Sequence, residues 1–265
     1  MNDTVLLAVE AGIATLTLNR PKALNALDAA MVEGLTLALD RIEADPEARV
    51  LVIEGSGGGF MAGGDLRGFS EWLDLPPAER KLRFERFIGA VHPQILRLRR
   101  LNQPVIASVH GPVAGFGLSL MLACDLAVAA ENSVFTLAYS LIGTSPDGGS
   151  SFFLPRQVGL KKAMEIALLG DRFDAPTALR LGLVNEVVSV GELKTRTRMI
   201  AERLAKGPAR AYAATKRLMN GSATATLETQ LKAEMESFAA CSATEDFLEG
   251  ITAFLGKRPA RFGGT

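Results

Sequence analysis

Apolar positions along the chain change period several times, and each change marks an element. Residues 4–10 and 13–18 alternate or run apolar around Gly12 and predict a β-hairpin. Asn19-Arg20-Pro21 ends it. Asp28 suits a helix N-cap, and Met31, Leu35, Leu39 and Ile42 share one face of a helix reaching about Ala44. Asp45-Pro46 stops that helix. Residues 50–54 are a strand that runs straight into G-S-G-G-G-F-M-A-G-G-D-L, residues 55–66. Residues 69–80 have no clean period and carry Pro76-Pro77, which suits a wall over a pocket or a plain surface connection. A long helix follows over 78–100, with Phe84, Phe87, Ile88, Ile95 and Leu98 apolar and Pro93 just after His92 as a kink site. Its basic end, Arg97, Arg99 and Arg100, suits a helix C-terminus.

Residues 104–109 form the next strand, which enters a second glycine stretch, V-H-G-P-V-A-G-F-G-L-S-L-M-L-A-C-D (109–125), with a short buried helix over 118–123. Residues 125–130 and 133–137 read as strands. T-S-P-D-G-G-S-S-F-F-L-P-R (144–156) is a loop entering a helix. Helices follow at 160–169 and 175–181, and a last strand at 183–188. Beyond 191 every segment is helical: 191–206, 208–219, 224–241 and 243–255. Strands and helices thus alternate to about 190, the pattern of an α/β core over 1–190, and a helical region over 191–265 suits packing or oligomerisation.

Composition narrows the function classes. The 265 residues include 29 Lys plus Arg and 29 Asp plus Glu, so net charge is zero, and no basic patch points to nucleic acid or a membrane surface. The two cysteines, Cys124 and Cys241, lie far apart, which fits buried thiols in a reducing cytoplasm better than a disulfide framework. With His92 and His110 the only histidines, a histidine-rich metal site is excluded. The first residues carry no basic and apolar leader pattern, and no run reaches transmembrane length.

The glycine stretches are the candidate chemistry. Each ends a strand-like run and gives way to a helix. Glycine lets backbone N–H groups approach a ligand, and helix N-termini carry free donors with partial positive charge. Two such turns, brought together, would aim two N–H groups at one oxygen, which is what an oxyanion hole requires. Either stretch alone reads equally as an ordinary turn. A dinucleotide fingerprint forced from Gly57, Gly59 and Ala62 is weak, because no second strand with a terminal acid follows.

In order, L-N-R-P-K-A-L-N-A-L (18–27), M-A-G-G-D-L (61–66), G-P-V-A-G-F-G-L-S-L…A-C-D-L (111–126) and P-D-G-G-S-S-F-F-L-P-R (146–156) closely resemble the crotonase family, the enoyl-CoA hydratases and isomerases. The resemblance continues through residues 169–188 to F-L-G-K-R-P-A-R-F (254–262). It implies an α/β spiral of ββα turns with a helical C-terminal trimerisation region. It implies an acyl-CoA thioester substrate, with no cofactor besides the coenzyme A that the substrate carries, and a homotrimer or dimer of trimers. Carried over by position, the oxyanion N–H groups fall at Gly64 and Phe116. The carbonyls of Ala23 and Ala62, with Leu66 nearby, meet the CoA adenine. Lys257 and Phe254 approach the 3′-phosphate end, from a neighbouring subunit.

The hydratases of this family use two glutamates. The matching positions here are Ser119 and Tyr139, and neither is a carboxylate, so ordinary water addition is not expected, and an enoyl-CoA hydratase with a rearranged acid stands as an alternative. Asp147, in S-P-D-G, matches the single base of Δ3,Δ2-enoyl-CoA isomerases, and one carboxylate is sufficient to move a proton between C2 and C4. Burial among Phe152, Phe153 and Leu141 would raise its pKa. Read without the family, Asp147 is an N-cap for the helix that follows. His92 falls where haloaroyl-CoA dehalogenases of the family keep a histidine, so His92, Tyr139 and Asp147 are expected to share a pocket. Hydrolytic substitution with Asp147 as nucleophile is therefore an alternative, although those enzymes carry tryptophan where this chain has Tyr139. His92 also reads as a packed helix residue, and His110 as a core histidine bonded to its turn. A serine triad is disfavoured because no G-x-S-x-G occurs. Zero net charge and the retained Asp147 argue against a non-catalytic CoA-binding or RNA-binding paralogue. Leu73, Phe87, Leu141 and Trp72 could line many acyl pockets.

Overall fold

The computed structural model describes residues 2–263. The hairpin forms as expected: β1 (Val5–Glu10) pairs antiparallel with β2 (Ile13–Leu18). α1 (Ala29–Ala44) starts where the Asp28 carboxylate accepts the Met31 N–H at 2.8 Å, and buries Met31, Leu35, Leu39 and Ile42. β3 (Val50–Gly55), β4 (Val105–Val109), β6 (Leu126–Ala130) and β9 (Glu186–Val188) continue the sheet in parallel, in the order β1-β2-β3-β4-β6-β9. A second sheet joins β5 (Pro112–Ala114), β7 (Val134–Thr136) and β8 (Phe173–Asp174).

The continuous apolar runs of β3, β4 and β6 reflect burial on both faces. Leu51, Ile53, Ala107 and Ala129 pack inward with α1, α3 (Pro77–Arg100) and α4 (Phe116–Ala123). Val50, Val52, Ile106 and Val128 face the other way, against Leu193, Ala201 and Ala205 of α8 (Leu193–Ala205). Ser108 and Thr197 hydroxyls meet across that seam at 3.0 Å.

The core therefore extends past residue 190. Unbroken helix after 191 suggested one separate region, yet α8 carries a stripe every fourth residue that matches the outer face of the sheet. α9 (Ala209–Ser222) is also tied in, through the buried Lys216 ammonium on the Asp125 carboxylate at 2.7 Å. By contrast α10 (Leu227–Ser242) buries no residue, and Leu227, Leu231, Met235 and Phe238 stand exposed on it. α11 (Glu245–Leu255) exposes Leu248, Ile251, Phe254 and Leu255.

Four smaller helices complete the chain. α2 (Leu66–Ser70) falls partly where no period was legible, and α5 (Ser150–Val158), α6 (Leu160–Leu169) and α7 (Ala175–Arg180) follow the second glycine stretch. α3 runs on through Pro93. Among the described residues no helix is long and apolar enough to cross a membrane.

Candidate active site

The two glycine stretches lie side by side. Phe60 N–H donates to His110 O at 2.8 Å, Met61 N–H to Pro112 O at 3.1 Å, and Ala114 N–H to Met61 O at 2.9 Å. On the other flank Leu27 N–H donates to Gly63 O at 2.8 Å, and Asp65 N–H to Leu27 O at 2.9 Å. Gly64 is thus held between the start of α1 and the start of α4. Its own N–H, and that of Phe116 at the first position of α4, meet no protein acceptor among the described residues. A Cβ built on Gly63, which has φ +98°, would lie only 3.6 Å from Phe116 N. The close approach needs glycine again at Gly117, where a Cβ would meet Met61 O at 2.3 Å. These two N–H groups, one on the turn before α2 and one at the start of a wholly buried helix, are both placed to donate to a ligand oxygen.

Two ties hold the turn, one buried and one partly exposed, and the sequence reading assigned them no role. The Asn25 side chain is fully buried, donates to Ser56 O and Gly59 O at 2.9 and 2.8 Å, and accepts the Arg20 N–H. Arg20 in turn pairs with Asp65 at 2.8 Å and Asp28 at 3.1 Å. Burial works to raise the Asp65 carboxyl, but Arg20 and the N–H groups of Gly68 and Arg67 outweigh it and hold the pKa down. The motif residues were visible as letters; the signal that separates Asn25 from its neighbours is only a polar side chain between apolar ones.

The acid lies opposite. The Tyr139 hydroxyl donates a short hydrogen bond to Asp147 Oδ1. Ser119, fully buried, lies 3.2 Å from that hydroxyl and donates to the Asp147 carbonyl at 3.0 Å. A Cβ on Gly148, at φ +60°, would meet both Phe116 and Ser119 at 2.8 Å, so the Asp147 turn rests directly on α4. Asp147 does not cap a helix: α5 begins behind Gly149, without a side-chain cap, because the carboxylate is engaged by Tyr139.

Burial pushes the Asp147 carboxyl up, against the opposing effects of the Tyr139 bond and the His92 charge. Burial and the neighbouring Asp147 charge also push the Tyr139 phenol up, so it stays a donor. The crowding comes from Phe116, Ser119 and Tyr139, with Phe153 against Gly149. Phe152 and Leu141 are exposed, Leu141 to 67%, and Leu141 leans on Gly170. His92 is exposed and its Nε2 accepts the Gly148 N–H at 3.4 Å, which brings it to the acid's turn. His110 is half-buried, not a core residue, and its Nε2 lies 2.9 Å from Gly57 O of the first glycine stretch, not of its own turn.

The candidate CoA positions fall into two groups. Ala23 and Ala62 are neighbours, joined by Ala62 N–H donating to Leu24 O at 3.0 Å, and Leu66 opens α2 beside them in sequence, half exposed. Phe254 is 81% exposed at the end of α11, and Lys257, at φ +50°, follows it. The tail there is pinned by Arg258, which grips Glu249 through two bonds of 2.7 Å and, with the Arg261 N–H, holds its carboxyl down at about 2. No hydrogen bond or ion pair joins Phe254 or Lys257 to Ala23, Ala62 or Leu66. A cleft of about 350 Å³ between α9 and α10, lined by Arg210, Arg217 and Ser237, shares no residue with the Asp147 site. Among the described residues no group of three His, Cys, Asp or Glu side chains is arranged to hold a metal ion.

The sequence profile of the enoyl-CoA hydratase/isomerase family matches residues 8–265. The chain belongs to that family. It is 36% identical over 264 residues to the 1,2-epoxyphenylacetyl-CoA isomerase of Escherichia coli, covering all of both chains. It is 34% identical over 262 residues to the crotonyl-CoA hydratase of Syntrophomonas wolfei, covering 98% of each. The crystal structure of an enoyl-CoA hydratase from Polaromonas sp. JS666 superposes with a TM-score of 0.91 at 37% identity, covering 97% of this chain and 99% of that one. The fold is the α/β crotonase fold, as the motifs implied, and relatives of both chemistries share it.

Proposed function

We propose that the protein shifts the double bond of an enoyl-CoA thioester from Δ3 to Δ2, with Asp147 as the single acid/base. The observation that carries the reading is Asp147 itself. It is a carboxylate raised by burial, with Oδ1 held by Tyr139, on a turn seated against the helix whose N-terminus offers Phe116 N–H. The thioester oxygen accepts from Gly64 and Phe116 N–H. Asp147 removes a proton from C2, the electron pair forms a C1–C2 double bond and the carbonyl pair moves onto the thioester oxygen, and the two donors stabilise the resulting dienolate, in which C3 and C4 remain doubly bonded. Asp147 returns the proton at C4, leaving the double bond between C2 and C3. Ser119 and Tyr139 take no proton in this scheme; they orient the carboxylate. Water addition needs a second group to activate water, and neither of these supplies one at neutral pH.

The test is a panel of 3-enoyl-, 2-enoyl- and haloaroyl-CoA esters in deuterated water, with products analysed by mass. Deuterium should enter C2 or C4 of the enoyl esters. Asp147→Asn should lower kcat by at least ~100-fold, with substrate binding nearly unchanged. Near-full isomerisation by Asp147→Asn would refute the assignment, and efficient hydration of a 2-enoyl-CoA would make the protein a hydratase. A hydrolytic reading draws on His92 beside the Asp147 turn. Its mark would be halide release with an ester adduct on Asp147.

The reading includes a trimer or dimer of trimers and a cytoplasmic role in fatty-acid or aromatic-acid breakdown. The exposed apolar side chains of α10 and α11 support the assembly. In such an assembly Lys257 and Phe254 of one subunit meet the CoA held by Ala23, Ala62 and Leu66 of the next. Light scattering should then give three or six chains. Lys257→Ala should weaken CoA esters but spare dephospho-CoA esters, and equal weakening of both would remove Lys257 from the phosphate.

A further inference from the structure

Four rings gather where α2 meets α3. Phe69 lies 5.3 Å from Trp72, 5.2 Å from Phe84 and 5.3 Å from Phe87, and Trp72 lies 4.9 Å from Phe84. Trp72 is the only tryptophan of the chain, and the Arg83 guanidinium sits 5.7 Å over its ring. Most of these pairs are edge-to-face, the arrangement ring quadrupoles favour.

The position of the cluster gives it meaning. A Cβ built on Gly64 would meet the Phe69 ring at 2.7 Å, so the cluster rests on the backbone that presents one oxyanion donor. Further along α3, His92 receives the Gly148 N–H beside the acid. Phe84 and His92 are eight residues apart, about 12 Å of helix. One side of α3 therefore spans from the oxyanion donor to the acid, and its oxyanion end is aromatic. Phe60 and Phe135, which serve the core, are wholly buried, whereas the four rings here are only half-buried.

We propose that the acyl group carries a ring, aryl or cyclic and unsaturated, which packs against Phe69, Trp72, Phe84 and Phe87 while its thioester oxygen sits at Gly64 and Phe116. The inference rests on the acyl-CoA reading above and narrows its substrate class. A flat ring adds an edge or face to a cluster already built of such contacts, and it has few torsions to freeze on binding. A straight alkyl chain offers no complementary quadrupole and loses more rotamer freedom.

Phenylacetyl-CoA and octanoyl-CoA test this directly, because both carry eight acyl carbons and neither has a chain double bond to shift. Calorimetry on the wild-type protein should show phenylacetyl-CoA binding at least about tenfold tighter. Trp72→Leu or Phe69→Leu should bring the ratio near one, and Trp72→Phe should keep it; a cluster that only pins α2 to α3 would alter stability but not the ratio. Equal or tighter binding of octanoyl-CoA by the wild type, or a ratio that survives both leucine variants, would overturn the proposal. The two readings fail separately. A tenfold ratio without proton exchange in deuterated water would end the isomerase reading and leave this one standing. Efficient isomerisation of a straight-chain 3-octenoyl-CoA with a ratio near one would do the reverse.

Discussion

The oxyanion half of the site, at residues 55–66 and 111–123, offers a ligand only backbone. The acid half, at residues 139–149 with His92 and Ser119, offers side chains. The backbone half is fixed by close approach, as at Gly117, where a single Cβ has no room, and by ties such as the buried Asn25 side chain. Its donors are the same whatever the acyl group. The side-chain half rests on α4 through Gly148, and in the proposed function Asp147, oriented by Ser119 and Tyr139, acts on the substrate. The fold is therefore common ground with the hydratase and isomerase relatives, and under the proposed function the two halves carry different parts of the reaction.

The sharpest way to break this comparison is to damage each half by one small group. Gly117→Ala places a methyl group against Met61 O, so it should cost about 3 kcal/mol of stability and lower activity with it. Asp147→Asn should remove activity at least as completely while the fold stays intact. Circular dichroism melts run beside the kinetics check the contrast. A fully stable but inactive Gly117→Ala, or an unfolded Asp147→Asn, would show that the division is drawn wrongly.

The same division explains what could be read from the sequence. The hairpin of β1 and β2 and the Asp28-capped α1 follow from local period and capping, whereas Gly64 and Phe116 are singled out by the resemblance to the family and not by the glycine pattern alone. α2 and β5 are too short to carry a period, so neither was legible. Asp147 reads locally as an N-cap, and only the chain's return past Tyr139 gives its carboxylate another partner. Asn25 and the Arg20–Asp65 pair are similar: their partners are assembled by folding, from loops distant in sequence. The stripe of α8 was legible, but the sheet face it covers was not.

A smaller effect is expected at Tyr139, where one oxygen atom sharpens the side-chain half. Its hydroxyl favours the ionised form of Asp147, and a hydrogen bond to a charged group is worth about 1.5–3 kcal/mol. Tyr139→Phe removes that donor and leaves burial unopposed by it. The Asp147 pKa then rises further, and the acid limb of the kcat profile should move to higher pH, with kcat at neutral pH down roughly tenfold. An unmoved limb would mean that Tyr139 acts on something other than the carboxylate.

The smallest effect is one of stability, and it separates the acid's chemistry from its structural cost. Burial raises the folded-state pKa of Asp147 above its usual carboxylate range, despite Tyr139 and His92. The folded protein therefore binds the Asp147 proton more tightly than the unfolded chain does. That contribution to stability is present below the ordinary aspartate pKa and is lost as pH rises through the raised one. Asparagine carries no charge to bury, so Asp147→Asn should melt above wild type near pH 7. The advantage should shrink as pH falls through the raised folded-state pKa and vanish below the ordinary aspartate pKa, where the carboxyl is protonated in both states. Melts at three or four pH values read the slope. An advantage that is constant with pH would reflect packing alone, and a variant less stable at neutral pH would mean that the Tyr139 bond outweighs the burial of the carboxylate.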